Sequence, residues 1–142
     1  MNVFEIDAPT LEAALIGLPG VICYKTHPLT FAIGKPFPDF SGNDLDGKAL
    51  SLARFKGKVL LVDFWATWCG PCVAELPNVK KAYEQYHKAG FEIFGISLDS
   101  DKKKLTDFTA KNQMTWPQHF DGNGWKNALA QQYGIHSIPA TF

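Results

Sequence analysis

The 142-residue chain contains only three cysteines, far too few for a scaffold held together by disulfides. No run approaches the roughly 20 apolar residues that a membrane-crossing helix needs. Nor is there an excess of either charge: fourteen Lys and Arg face fourteen Asp and Glu. No overall field therefore draws the chain to nucleic acid or to an anionic membrane, and neither partner is expected. Internal repeats and low-complexity tracts are absent. Material for a metal site is sparse too. One Cys-x-x-Cys supplies two ligands where tetrahedral zinc usually takes four, and His27, His87, His119 and His136 are scattered. The first residues lack a secretion signal, since Glu5, Asp7 and Glu12 precede any Lys and Pro19-Gly20 break the apolar run. The expectation is a cytosolic chain, or an extracytoplasmic segment without its leader. At 46% hydrophobic and 20% charged, it has the composition of one soluble globular domain.

What is present centres on residues 65–72, Trp-Ala-Thr-Trp-Cys-Gly-Pro-Cys. Cysteines two residues apart can close a small disulfide with little backbone movement, so Cys69 and Cys72 form the pair. Cys23 is left over and reads as a small buried hydrophobe within Val21–Tyr24. Before the pair, Lys58–Trp65 is a short, β-branched, apolar run that predicts a buried parallel strand. After it, Val73 to Lys88 predicts a helix with Leu76, Val79, Tyr83 and Tyr86 on one face, kinked at Pro77 and ended by Gly90. A Cys-x-x-Cys at a strand-to-helix junction within a βαβ pattern marks a dithiol redox site.

The remaining elements follow the same alternation. Residues 1–33 are the least readable, with a short helix at Leu11–Ile16 and a strand at Val21–Tyr24. Gly34–Phe40 is stiff, extended and proline-rich, and leads into the main domain. Turn chemistry at Asn43–Gly47 joins two short strands, Phe40–Ser41 and Lys48–Leu50, and Ser51 caps one turn through Arg54. Phe91–Leu98 is the next buried strand, and Asp101–Lys111 a surface helix with Leu105 and Phe108 inward. Trp116–Phe120 reads as a strand, Trp125–Tyr133 as a helix with Leu129 inward, and Ile138–Phe142 as the start of another strand. Strands alternating with helices imply an α/β domain with a mostly parallel sheet covered on both faces.

Val62–Cys72, with Gly134-Ile135-His136-Ser137-Ile138-Pro139, resembles a thioredoxin-fold protein. Gly34–Phe40, the hairpin after it and Glu75-Leu76-Pro77 resemble the TlpA/ResA branch of thiol–disulfide oxidoreductases. The match covers about residues 34–142, and residues 1–33 remain a segment of unknown role. It implies a three-layer α/β/α sandwich with a mixed, mostly parallel sheet and an N-terminal β-hairpin extension. The family's C-terminal hairpin and helix are missing from a sequence that stops at Phe142, so a longer parent chain is expected. The resemblance also implies a monomer in the cell envelope or periplasm, with cytoplasm as the alternative. Its partners would be protein thiols and disulfides, including a membrane thiol reductant and apocytochrome-type substrates of cytochrome c biogenesis. No cofactor beyond the Cys69–Cys72 disulfide is implied.

Cys69, at the helix N-terminus, is the expected nucleophile, because unpaired N–H groups and the helix dipole favour a thiolate there. Cys72, one turn deeper, would resolve the mixed disulfide. Pro71, in the first turn where its missing N–H costs nothing, stiffens the Gly70-Pro71 loop, and Trp68 with Trp65 would wall the site. Asp63 is a carboxylate within an apolar strand, costly to bury without a role. By resemblance it is the proton acceptor beneath Cys72, its pKa raised by burial. Thioredoxins pair that acid with a Lys on the next strand; here the position falls at Gly95. Glu75 matches an acidic residue that the TlpA/ResA branch places near its cysteines. Ile138-Pro139 would present a cis-proline opposite the cysteines, with backbone that pairs an extended substrate. A peroxiredoxin-like peroxide reductase is the alternative, but it needs Pro and Thr seven and three residues before the attacking cysteine, where Val62 and Ala66 stand. A metal-binding module is the third reading.

Overall fold

The computed structural model describes Gly34 and residues 36–142. The elements expected at 11–16 and 21–24, Cys23 and His27 lie outside the described residues. Strands β1 (Ser41–Asn43) and β2 (Ala49–Ser51) form an antiparallel hairpin. Next come β3 (Val59–Trp65), α1 (Gly70–Tyr86), β4 (Phe91–Ser97), α2 (Lys102–Lys111), β5 (Gln118–Phe120), α3 (Ala128–Gln132) and β6 (Ala140–Thr141). The main sheet has the order β5-β4-β3-β6, with β3, β4 and β5 parallel and β6 antiparallel to β3. This is the α/β thioredoxin-like arrangement that the sequence implies.

The apolar runs become the two central strands for the expected reason. Every residue of β4 is buried, because a central parallel strand is covered on both faces. On one face Phe94 stacks on Phe40 at 4.6 Å between ring centroids, with Phe55 beyond it at 5.9 Å. Phe64 meets Tyr133 and Phe142 edge-on. Each such ring contributes about 1.5–3 kcal/mol by leaving water. On the other face lie α1 and α2, with Phe108 of α2 against Trp65 and Tyr83 of α1 against Trp116. The hairpin is tied to the outer strand by the Leu45 N–H donating to the Gln118 carbonyl at 3.0 Å and by an Asp44–His119 bridge. That contact covers part of an otherwise open sheet edge.

Several boundaries differ from the sequence expectation. Helix α1 runs through Pro77, which is exposed, and ends at Tyr86 before a 3-10 turn, His87–Ala89. Gly90 then takes φ 100°, a left-handed stop that glycine adopts without strain. Ser51 makes no side-chain cap; the Leu52 N–H instead reaches Asp39 Oδ1 at 3.4 Å. The helix expected over 125–133 is split into a 3-10 turn, Gly124–Lys126, and the short α3. Asn127 causes the break: its Oδ1 accepts from the N–H groups of Leu129 and Ala130, restarting the helix. Strands β5 and β6 are each shorter than expected, beginning at Gln118 and Ala140.

Candidate active site

Strand β3 delivers the chain to the edge of the core at Trp65, and the loop 66–69 turns it into α1. Cys69 is the N-cap of that helix, with extended backbone (φ −84°, ψ 102°), and its sulfur accepts from the Cys72 N–H at 3.3 Å. The two cysteines form a disulfide across 5.3 Å between Cα atoms. Both are buried, so only one rim of the bond faces outward. In the reduced state the same N-cap geometry surrounds the Cys69 sulfur with the helix's unpaired N–H groups and positive dipole end, which favour an anion. Gly70 and Pro71 are exposed beside it, and beyond its chain neighbours and its own helix backbone nothing lies within 4 Å of where a Gly70 Cβ would stand.

The loop is anchored by a carboxylate that sequence reasoning missed. Asp99, at the end of β4 and 3% exposed, accepts from the Thr67 N–H at 3.0 Å, from Thr67 Oγ1 at 2.5 Å and from Ser97 Oγ at 2.7 Å. Three donors satisfy a buried polar group that would otherwise be costly. Thr67 is thereby fixed two residues before Cys69.

The two tryptophans of the motif part company. Trp68 is 55% exposed and lies 6.1 Å from the ring of Trp125, which is 43% exposed. Trp65 is not a wall of the site: it is buried, and its indole N–H donates to Gln118 Oε1 at 2.9 Å. Trp125 was placed by its sequence only in a helix; its exposure beside the cysteine loop is a product of the Gly124–Lys126 turn.

Asp63 faces α1 and α2, on the same side of β3 as Trp65. Burial without a compensating cation or donor pushes its carboxyl up to about 7. The register pairs it with Gly95 on β4 and Thr141 on β6, so the neighbouring strand carries no lysine at that level. Glu75 lies on the second turn of α1 and accepts from Asn78 Nδ2 at 3.1 Å. The Ile138–Pro139 peptide is cis and leads directly into β6. Among the described residues, no group of three His, Cys, Asp or Glu side chains gathers as a metal site.

A strand–Cys-x-x-Cys–helix unit in a thioredoxin-like sheet, its cysteines bonded to each other, defines a thiol–disulfide oxidoreductase. Residues 32–142 match the Redoxin family model, and the chain belongs to that family. It is 33% identical over 119 residues to the thiol-disulfide oxidoreductase ResA of Bacillus thuringiensis, covering 84% of this chain and 67% of that protein. The ResA of Geobacillus thermodenitrificans is 32% identical over 132 residues, 93% of this chain and 74% of the relative. Among solved structures, a thiol-disulfide oxidoreductase from Bacteroides fragilis aligns with TM-score 0.68 and 34% identity, covering 75% of this chain and 80% of that one. A thiol:disulfide interchange protein of the thioredoxin family from Chlorobium tepidum aligns with TM-score 0.65 and 31% identity, over 79% of each chain.

Proposed function

We propose that this ResA-like oxidoreductase acts as an extracytoplasmic reductant of protein disulfides. The observation that carries the mechanism is Cys69 at the N-cap of α1 with Cys72 bonded to it one turn deeper. In the reduced protein the Cys69 thiolate attacks one sulfur of a substrate disulfide, forming a mixed disulfide and releasing the other substrate sulfur as a thiolate that takes up a proton. Cys72 then loses its proton to Asp63 and attacks Cys69. The Cys69–Cys72 bond forms, the mixed disulfide breaks, and the second substrate sulfur leaves as a thiolate. Two electrons pass from the protein to the substrate. A carboxyl near pH 7 suits this transfer, being free to accept yet basic enough to hold the proton.

Around the sulfurs, Trp68, Gly70 and Pro71 form the exposed rim against which a substrate chain would lie, with Trp125 extending it. The backbone at Ile138-Pro139 is the proposed partner for an extended substrate segment. Glu75 is the proposed second acid of the site, a short helix turn from Cys72. Gly-Pro between the cysteines favours the reducing end of the scale, near the roughly −270 mV of thioredoxin.

We place its action in the cell envelope, with a membrane thiol reductant as electron donor and apocytochrome-type thiol proteins as acceptors, on the family resemblance of its motifs. Among the described residues no helix is long and apolar enough to cross a membrane. The test is substrate trapping. A Cys72→Ser protein expressed in the envelope should accumulate covalent adducts on Cys69 that dithiothreitol releases, and no adducts above a Cys69→Ser, Cys72→Ser control would refute the exchange mechanism.

A further inference from the structure

Asp63 belongs to a row that crosses the whole sheet. Thr141 of β6, Asp63 of β3, Gly95 of β4 and Gln118 of β5 stand side by side in register. Residues paired in this way share a face, here the one under α1 and α2. Gly95 leaves a gap in the row, and the amide of Gln118 fills it: a Cβ on Gly95 would lie 2.6 Å from its Cδ and 2.7 Å from its Nε2. Gln118 is 4% exposed. Its Oε1 is taken by the Trp65 indole N–H at 2.9 Å, which sets which end of the amide is nitrogen. The Nε2 is buried with no hydrogen-bond partner.

Such an orphan donor is uncommon in a core and is free to serve an acceptor that appears beside it. Adjacent strands lie about 4.8 Å apart, so an amide over Gly95 sits within direct or one-water reach of an acid on β3. We propose that Gln118 is a positioning residue of the redox site, its Nε2–H donating to the Asp63 carboxylate once Asp63 has lost its proton. The inference rests on the reading of Asp63 as the acceptor for Cys72. Gln118 fills the place of a cation with a neutral donor, stabilising the carboxylate without a fixed positive charge that would hold Asp63 ionised and too weak a base.

Few other groups compete for this role. α1 brings Cys72, Glu75 and, two turns on, Tyr83. The remaining face residues of β4 are Phe91, Ile93 and Ser97, and the ionisable side chains of α2 are exposed. Glu92, at the start of β4, is held by Lys58 and meets the Tyr83 phenol in the last turn of α1, and His119 points from the opposite face to the Asn43 carbonyl.

The test follows the Asp63 carboxyl carbon by NMR through a pH titration of the oxidised protein, in wild type, Gln118→Met and Gln118→Asn. Met keeps the length without the donor; Asn keeps the amide but cannot span Gly95, and it serves if Met prevents folding. Loss of the donor should raise the Asp63 midpoint by about half a unit to one unit. The midpoint of the pH dependence of disulfide exchange should rise equally while KM stays unchanged. A midpoint that stays put or falls in both variants overturns the role of Gln118. The parent reading fails separately: it is lost if Asp63→Asn leaves the pH dependence of exchange intact, whatever Gln118 does.

Discussion

The central strands each hold an inward-facing acid, Glu92 buried and Asp63 half-buried, and the two are treated in opposite ways. At the start of β4, Glu92 is 6% exposed and fully partnered. Lys58 Nζ lies 3.2 Å from its Oε2, His87 Nδ1 lies 3.8 Å away, and the Ile93 N–H donates to Oε1 at 3.1 Å. Toward the other end, Asp63 stands opposite Gly95, where no cation meets it, and its carboxyl is pushed up to about 7. Glu92 therefore fastens β3, β4 and the end of α1 through its partners. Asp63 is left able to change its charge. Asp99 resembles Glu92: three donors hold it, and it shapes the loop before the cysteines. One carboxyl is left poised, with no hydrogen-bond partner of its own among the described residues, while Glu92 and Asp99 are pinned by theirs.

Removing the sulfurs should separate the ends most completely. Cys69→Ser should lower disulfide exchange by more than about a thousandfold, as loss of a nucleophile does, while thermal unfolding of the reduced protein shifts little. Next in size is Asp63→Asn, expected to slow the resolution of a preformed mixed disulfide by about a hundredfold, measured by stopped-flow release of the substrate thiol.

The same substitution should act on stability with a definite sign. Asp63 has a folded pKa above its unfolded one, so the native state binds more protons and wild-type stability falls as pH rises from about 4 to about 7. Asp63→Asn should remove that slope. It should be the more stable protein above pH 7 by up to a few kcal/mol, with the advantage gone below about pH 4. Denaturant unfolding at several pH values measures it, and parallel curves would contradict the difference between the two acids.

A smaller effect is expected at the opposite end. Lys58→Ala should cost about 1–2 kcal/mol in urea unfolding by leaving Glu92 short of its cation, with exchange rates unchanged. The smallest change is expected at the rim. Trp125→Ala should raise KM for a protein disulfide by a few fold without altering reduction of a small-molecule disulfide, because only an extended substrate would reach that ring.

How much of this could be read in the sequence depended on how many residues carried each signal. Strand β3, the cysteine pair and α1 were legible because an apolar β-branched run, a loop and a helical stripe stand in uninterrupted order. Asp63 stood out because a charge inside such a run is physically expensive, and the absence of a lysine at Gly95 followed from strand register. Asp99 did not stand out. It falls in Leu98-Asp99-Ser100-Asp101, where polar residues at a strand end look like an ordinary turn, and only the folded loop brings Thr67 to it. Trp65 was misjudged for a related reason: adjacency to the motif implied a surface role, whereas alternation along β3 turns it inward to Gln118. The partnership of Gln118 with that indole, and its span over Gly95, arise across three strands and have no local pattern.

The most direct measurement is the midpoint of the Asp63 carboxyl titration in the oxidised protein, followed through its side-chain carbon by NMR. A value near 7 is expected from its poorly solvated setting without a cation. A value near 4, the range of an ordinary aspartate, would contradict the proposed division between pinned and poised acids.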